Sequence, residues 1–453
     1  MSGAVNKRGH DWEYWYTIIA LLFITSALTP LLAILGGAQV EDRGDSNPFR
    51  FGLATLLYLI SGLLALKSVG KSLELLQKNP LSLALLLLPL ISMMWSVDPA
   101  LTFRRAVACA LTTVFCIYLV GRLSPEELLK RLMFTLLIGG VASIFYSVLL
   151  PQYGMHFDAG NYGAFRGVYG HKNELGRVSV IAIIVAYFVR PTNQSERSYR
   201  YLALSVFLFL LAVSQSATNW LIMLGLVGFI PMLALFRSER LSLPLRILLV
   251  FSCGLTVTLV VSVNAEALLA AVGRDDTFTG RETLWRGVIA VVSERYPILG
   301  AGYGAFFSNL GGVRELFFLV SSWGSIPEHA HNGYMNVWAD LGAVGLVTLV
   351  LFLVTSTVHL ARRAVAEPDR PAWGALCALM FFFLVNNISS SVAMQHSDIA
   401  WVTILLASFY ARSAMPSDVR LRSIGLAHGS RSAWPVTSAL DTRSNARPRS
   451  PTL

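Results

Sequence analysis

Between Trp15 and Arg412 the chain returns again and again to stretches of mainly apolar residues with no Asp, Glu, Lys or Arg at their middles. A helix needs about 20 such residues to cross a bilayer. Twelve stretches qualify: Trp15–Leu35, Phe51–Leu66, Pro80–Val97, Ala106–Val120, Leu132–Leu150, Glu174–Val189, Tyr201–Ser214, Asn219–Phe236, Leu245–Val263, Gly333–Leu360, Ala372–Val392 and Ser397–Arg412. The fourth and seventh are short, so the count lies between ten and twelve. Only 14% of the residues are charged, against roughly 25% in soluble domains. These features exclude a water-soluble enzyme and predict an all-α integral membrane protein of about twelve spans.

Positive charge orients the threading. With the N-terminus in the cytoplasm, the inside segments hold two, three, three, three, three, three and seven Lys or Arg, which is 24 of the 36. Five of the remaining twelve fall in one long loop, which charge bias need not govern. The expected organisation is therefore a cytoplasmic N-terminus (1–14) and a polytopic membrane domain (15–412). A periplasmic loop with short helices spans about 264–332, and a basic, disordered cytoplasmic tail follows (413–453). The first span follows Lys7 and Arg8, is too long for a cleaved signal and lacks a small-residue cleavage site, so it reads as a retained signal-anchor. The four cysteines (Cys109, Cys116, Cys253, Cys377) lie in apolar runs and read as packing residues.

Polar residues gather at the outer ends of the spans. RGVYGHKNELGR brings Arg166, His171, Lys172, Asn173 and Arg177, and SQSATN brings Ser214, Gln215, Ser216 and Asn219. The long loop adds Arg274, Arg281, Arg286, Arg295, His329 and His331, and the last two spans add Asn386, Asn387, His396 and Asp398. Spans six, eight and ten start at this level, so their helix N-termini present partial positive charge and free N–H donors to it. Together with several guanidinium groups, this describes an outward-facing site for an anionic, phosphate-bearing ligand. Taken singly, most of these residues fit plain solvated or capping roles.

Within the long loop, Gly280–Tyr296 spaces Leu284, Val288, Val291 and Val292 at helical intervals. It predicts an amphipathic helix on the outer membrane face, with Trp285 at the interface and Arg281 and Arg286 toward the bundle or toward lipid headgroups. PILGAGYGAFF lacks the strand-then-helix context of a nucleotide-binding loop and reads as a turn back to the membrane. His329 and His331 precede the tenth span without a third ligand of fitting type, which argues against a metal. An imidazole at a positive helix end has a lowered pKa and suits a general base for a sugar hydroxyl. The competing reading is a capping or surface histidine.

HAHNGYMNVWADLGAVG resembles the signature of the bacterial O-antigen ligase and O-antigen polymerase superfamily, with His331, Asn332, Gly342 and Gly345 at its marked positions. GRETLW…RYPILGAGYGAF resembles the segment that precedes it there. RGVYGHKN, SQSATN and WSVDPALTFRR are similar to the exopolysaccharide-polymerase branch, and the likeness runs from roughly residue 90 to 410. The resemblance implies a glycosyltransferase at the outer face of the bacterial inner membrane that needs neither metal nor cofactor. It implies an undecaprenyl-diphosphate-linked glycan donor and a glycan or lipid A–core acceptor, with membrane lipids and polysaccharide chain-length and export proteins as further partners and no nucleic acid. By the same resemblance His331 activates the acceptor hydroxyl. Arg166, Arg281 and Arg286, with Lys172, His171 and Asn173, bind the diphosphate. His329, Asn332 and Gln215 support them. Exopolysaccharide repeat-unit polymerase is the leading reading and O-antigen ligase the alternative. A lipid-linked-oligosaccharide flippase or transporter stands further off, because the cations stop at the outer rim instead of lining the midplane.

Overall fold

The computed structural model describes residues 4–36, 47–67, 69–158, 161–237, 242, 277–312, 315–316 and 328–413. The expected basic tail and the ninth span, Leu245–Val263, lie outside them. The described residues form helices without strands, joined by short turns and one isolated bridge between Met155 and Phe165. In chain order they are α1 (Ala4–Ile24), α2 (Thr29–Gly36), α3 (Pro48–Leu66), α4 (Val69–Gln77), α5 (Pro80–Ile91), α6 (Pro99–Arg122) and α7 (Pro125–Leu149). After the single turn α8 (Pro151–Gly154) come α9 (Lys172–Phe188), α10 (Gln194–Val213), α11 (Ala217–Arg237), α12 (Thr277–Arg295), α13 (Gly333–Ala366), α14 (Pro371–Ser389) and α15 (Ile399–Arg412).

Local chemistry starts these helices where the sequence allows. Ser124 and Glu127 form a capping box at α7, and Asn47, Asp98, Asn193 and Asp398 accept from first-turn amides. Proline sits at the first turn of α3, α5, α6, α7 and α14, where its missing N–H costs nothing.

Every expected span but the ninth coincides with helix, yet the number twelve is not reached by length and composition. Five described helices are long and apolar enough to cross a membrane: α3, α6, α7, α13 and α14. The count rises to seven if the bent pairs α1–α2 (79°) and α4–α5 (97°) are each one broken span. α11 and α15 are shorter apolar helices, α9 has 17 residues, and α10 opens on a charged turn. The connection expected between spans two and three is itself the helix α4.

One apolar core runs through α1, α3, α6, α7, α9, α10, α13, α14 and α15. Cys109, Cys116 and Cys377 are buried in it, as packing residues should be; Cys253 lies outside the described residues. At the far end of α13 and α14, Arg370 clasps Glu126 of α7 through two bonds of 2.8 and 2.7 Å and reaches Glu367 at 2.8 Å. Glu367 also holds Arg363 at 3.0 Å. This pins one end of the bundle and leaves the opposite end of α13, the one beside His331, to be set by other contacts.

Candidate active site

The ten residues from Pro297 to Phe306 dock against α13 around residues 339–344. α13 is broken at Gly342, whose φ of 64° and ψ of −165° lie in a region that only glycine occupies without strain. A Cβ at Gly342 would run into the Ile298 carbonyl. The break lets the preceding loop stitch to the helix mainly through its backbone, with Trp338 Nε1 donating to Pro297 O (3.4 Å) and Phe306 N to Asp340 Oδ1 (3.3 Å). Ala343 N donates to Pro297 O (2.9 Å), Ala301 N to Ala339 O (2.9 Å) and Gly302 N to Asp340 O (2.9 Å). Val97 N donates to Ala301 O and Trp95 Nε1 to Leu299 O, so the segment before α6 joins the same seam. The glycine-rich stretch is thus a docking turn, as its sequence suggests.

The first part of α13 carries the histidine pair at its mouth. Asn332 is the cap, accepting from Tyr334 N (3.0 Å) and Met335 N (3.1 Å), so His331 is not spent on capping. The Ala330 peptide is held on both sides: its N–H donates to Asn336 Oδ1 (2.8 Å) and its carbonyl accepts from Trp285 Nε1 (2.8 Å). His331 takes the left-handed backbone region (φ 52°), which is unusual for a residue with a side chain. Its N–H donates to His329 Nδ1 at 3.3 Å, and the two rings meet edge to face at 4.1 Å. Burial, with His329, Arg281 and His171 adding to it, pushes the His331 pKa down to about 3. Burial also lowers His329, helped by Arg281 and Arg177 and opposed by Glu328. His331 is therefore a neutral imidazole in a cationic surrounding at ordinary pH.

Arg281 comes from α12, whose apolar stripe is buried: Leu284, Val288, Val291 and Val292 pack with Ala301, Phe306, Ala330 and Ala339. That corrects the expectation of a helix lying on lipid. The stripe faces protein, because the docking turn and the start of α13 offer it apolar partners. Trp285 is likewise tied to the histidine segment. Arg281 is half-buried and donates to Ser389 O at the end of α14 (3.4 Å). Arg286 is exposed and paired with Glu282 one turn back at 2.6 Å. The two arginines, equivalent by sequence, part company here.

The RGVYGHKN segment supplies the other wall. Arg166 is buried and donates through Nε to Tyr153 O (2.9 Å) and through Nη2 to Gln152 O (3.4 Å). His171 caps α9, accepting from Asn173 N at its Nδ1 (3.1 Å). Lys172 is buried, and its N–H donates to His156 Nε2 (3.2 Å), which leaves the ring proton on Nδ1 for Asp158 (3.0 Å). His156 and His171 meet edge to face at 5.1 Å. Burial lowers the pKa of His156, with Asp158 opposing. Sequence reasoning passed over His156; the His-x-Asp spacing with Asp158 was the available signal.

SQSATN completes this wall. Ser216 Oγ donates to Asn173 Oδ1 (2.9 Å) and Asn219 Nδ2 to Asn173 O (3.0 Å). Gln215 is exposed with φ 49°, at the bend between α10 and α11. Arg177 pairs with Asp398 at 2.8 Å and Glu174 at 3.6 Å, bringing the start of α15 in. Among the described residues no group of three His, Cys, Asp or Glu is placed to hold a metal ion. The arrangement puts a proton acceptor beside several fixed cations, which suits a reaction that removes a proton while a negative charge leaves.

Residues 201–350 match the family model for O-antigen ligase. That stretch runs from α10 to the first half of α13 and includes Arg281, His329 and His331. The chain is also similar to the exopolysaccharide production protein ExoQ of Rhizobium meliloti (strain 1021), with 28% identity over 293 residues. The match takes in 62% of this chain and 65% of the relative, just under two thirds of that protein's length.

Proposed function

From the premise that this membrane protein is O-antigen ligase/polymerase-like, we propose that it is a glycosyltransferase of exopolysaccharide production. It moves a glycan from undecaprenyl diphosphate to an acceptor sugar at the periplasmic face of the inner membrane, most simply by polymerising repeat units. Both termini are cytoplasmic in this reading. The observation that carries it is the neutral His331, fixed at a helix mouth among Arg281, His171 and His329.

The steps follow from charge. The diphosphate settles against Arg281, Arg166, Lys172 and the N-terminus of α9 near His171 and Asn173, where guanidinium groups and the positive end of the helix dipole complement it. Arg286, exposed and already paired, stands at the rim. A pKa of about 3 makes His331 on its own a weak base. The arriving diphosphate brings negative charge and raises it toward neutrality, so the base strengthens when the donor binds. The acceptor hydroxyl gives its proton to His331, and its oxygen attacks the anomeric carbon as the bond to the diphosphate oxygen breaks. Undecaprenyl diphosphate leaves with the bonding electrons, its charge held by the arginines, and the imidazolium returns its proton to water. Attack opposite the leaving group inverts the anomeric centre.

The experiment uses purified full-length protein in liposomes with undecaprenyl-diphosphate oligosaccharide, with and without lipid A–core, and reads product masses. Longer carrier-linked chains without the second acceptor are expected. Product on lipid A–core alone would make the protein an O-antigen ligase. Carrier crossing the bilayer without any glycosidic bond formed would overturn the reading in favour of a flippase.

A further inference from the structure

Two asparagines stand side by side at the end of α14; Asn387 uses its oxygen, though not its Nδ2, while Asn386 uses neither amide atom. Asn387 is fully buried and uses Oδ1 to accept from Val392 N (3.3 Å) and Ala393 N (3.0 Å), holding the turn that leaves the helix. It also packs against Gly333, two residues after His331, so closely that a Cβ on that glycine would meet its amide. Asn386 is 1% exposed, and neither Oδ1 nor Nδ2 has a hydrogen-bond partner. Exchanging the amide's oxygen and nitrogen would not help, because both ends are unspent. A buried amide left so costs free energy that burial alone does not return.

The position of this amide gives it meaning. Three residues on, Ser389 O receives Arg281, and one residue on, Asn387 touches the start of α13. Asn386 therefore lies within one helical turn of the contacts that hold both Arg281 and the histidine mouth. Asn219, on α11, which packs against α14, carries a second buried acceptor without a partner, Oδ1. Neutral amides offer a donor and an acceptor together and no charge. They match the hydroxyls of a sugar, whereas the phosphates are matched by the cations next to them.

We propose that Asn386 is a sugar-recognition residue, its amide hydrogen-bonding hydroxyls of the glycan linked to the carrier diphosphate, with Asn219 of the adjoining α11 as a second amide. This rests on the glycosyl-transfer reading and names the part of the donor that the amides take. It makes Asn386 a positioning residue for the reacting sugar, distinct from the groups that hold diphosphate.

The test compares binding of two lipids to full-length protein in liposomes: undecaprenyl diphosphate alone, and the same carrier bearing oligosaccharide extracted from the producing cells. Asn386→Leu removes both polar atoms at similar volume, and Asn386→Ala serves as a second variant should the first misfold. The expected result is about tenfold weaker binding of the glycan-bearing lipid, unchanged binding of the bare carrier, and a melting temperature equal to or above wild type. Unchanged binding of both lipids would overturn the proposal and leave ordered water as the amide's partner. Equal weakening of both would overturn it too, since that marks a purely structural role. Transfer assayed on the same wild-type sample tests the underlying reading separately. A wild type that prefers the glycan-bearing lipid yet forms no product would sink the transferase and leave the amide assigned.

Discussion

Replacing Gly342 by alanine should damage the site without touching any residue that faces substrate. The backbone there sits in the glycine-only region, which costs an alanine about 1–3 kcal/mol. The added Cβ also meets the Ile298 carbonyl, so Ala343 N→Pro297 O (2.9 Å) and Val344 N→Ile298 O (3.2 Å) must lengthen. At about 1 kcal/mol for each hydrogen bond the total reaches roughly 3–5 kcal/mol. For a bundle of this size that is a fall in melting temperature on the order of 5 °C. The larger effect is on chemistry. The loop from Pro297 positions the start of α13 and hence His331, and a displacement of about 1 Å costs on the order of 100-fold in rate. The assay is thermal unfolding of purified protein beside transfer rate in liposomes, with Gly228→Ala as control because nothing lies within 4 Å of its added Cβ. A Gly342→Ala protein with wild-type melting and wild-type turnover would refute the claim that the break positions the histidine.

Three other outcomes follow from the site. His331→Ala should insert, melt near wild type and still bind donor, while transfer falls by at least about 10³-fold; wild-type product formation would remove the base. Arg281→Ala should weaken transfer by about 100-fold, whereas Arg286→Ala, exposed and paired with Glu282, should stay within about threefold; equal losses in a side-by-side rate measurement would show that geometry misassigns the pair. The third concerns pH. Folding depresses the His331 pKa to about 3, below an unfolded value of about 6.5. Its neutral form therefore contributes stability above pH 6.5 that is lost as pH falls toward 3. The acid limb of kcat/KM, which reports the free enzyme, should lie well below pH 6.5, and that of kcat, with diphosphate bound, should lie higher. Arg281→Gln removes one of the causes of the depression and should move the kcat/KM limb up; a limb fixed near 6.5 in both proteins would place the base elsewhere.

The sequence announces helices because long apolar runs and caps are local properties. Asn332 and Asp398 start α13 and α15 as Asn and Asp do at many helix ends. The buried stripe of α12 was visible as spacing too. What covers that stripe was not, since periodicity reveals a face and not its partner. Arg281 and Arg286 flank one tryptophan and look alike in sequence. They differ in burial and partners: Arg281 reaches Ser389, 108 positions away, while Arg286 stays exposed beside Glu282. The break in α13 was hidden for the same reason, since it answers to the Ile298 carbonyl far back in the chain. His156 escaped notice because its roles, accepting from Lys172 N and donating to Asp158, appear only once the loop folds back.

The seam between the Pro297 loop and α13 is made mostly of peptide groups, with Trp95, Trp338 and Asp340 adding side-chain bonds, and that shapes how such a chain is free to change over generations. Peptide groups are common to all residues except for proline's missing N–H, so most side chains along the seam are replaceable while its geometry endures. Positions where backbone shape itself is at stake, such as Gly342, tolerate a side chain least. A scaffold of this kind keeps its reactive corner in place while the surrounding letters turn over, which fits a relative with which it shares 28% of aligned residues. Selection for new glycans then has room to act on the pocket walls without rebuilding the frame.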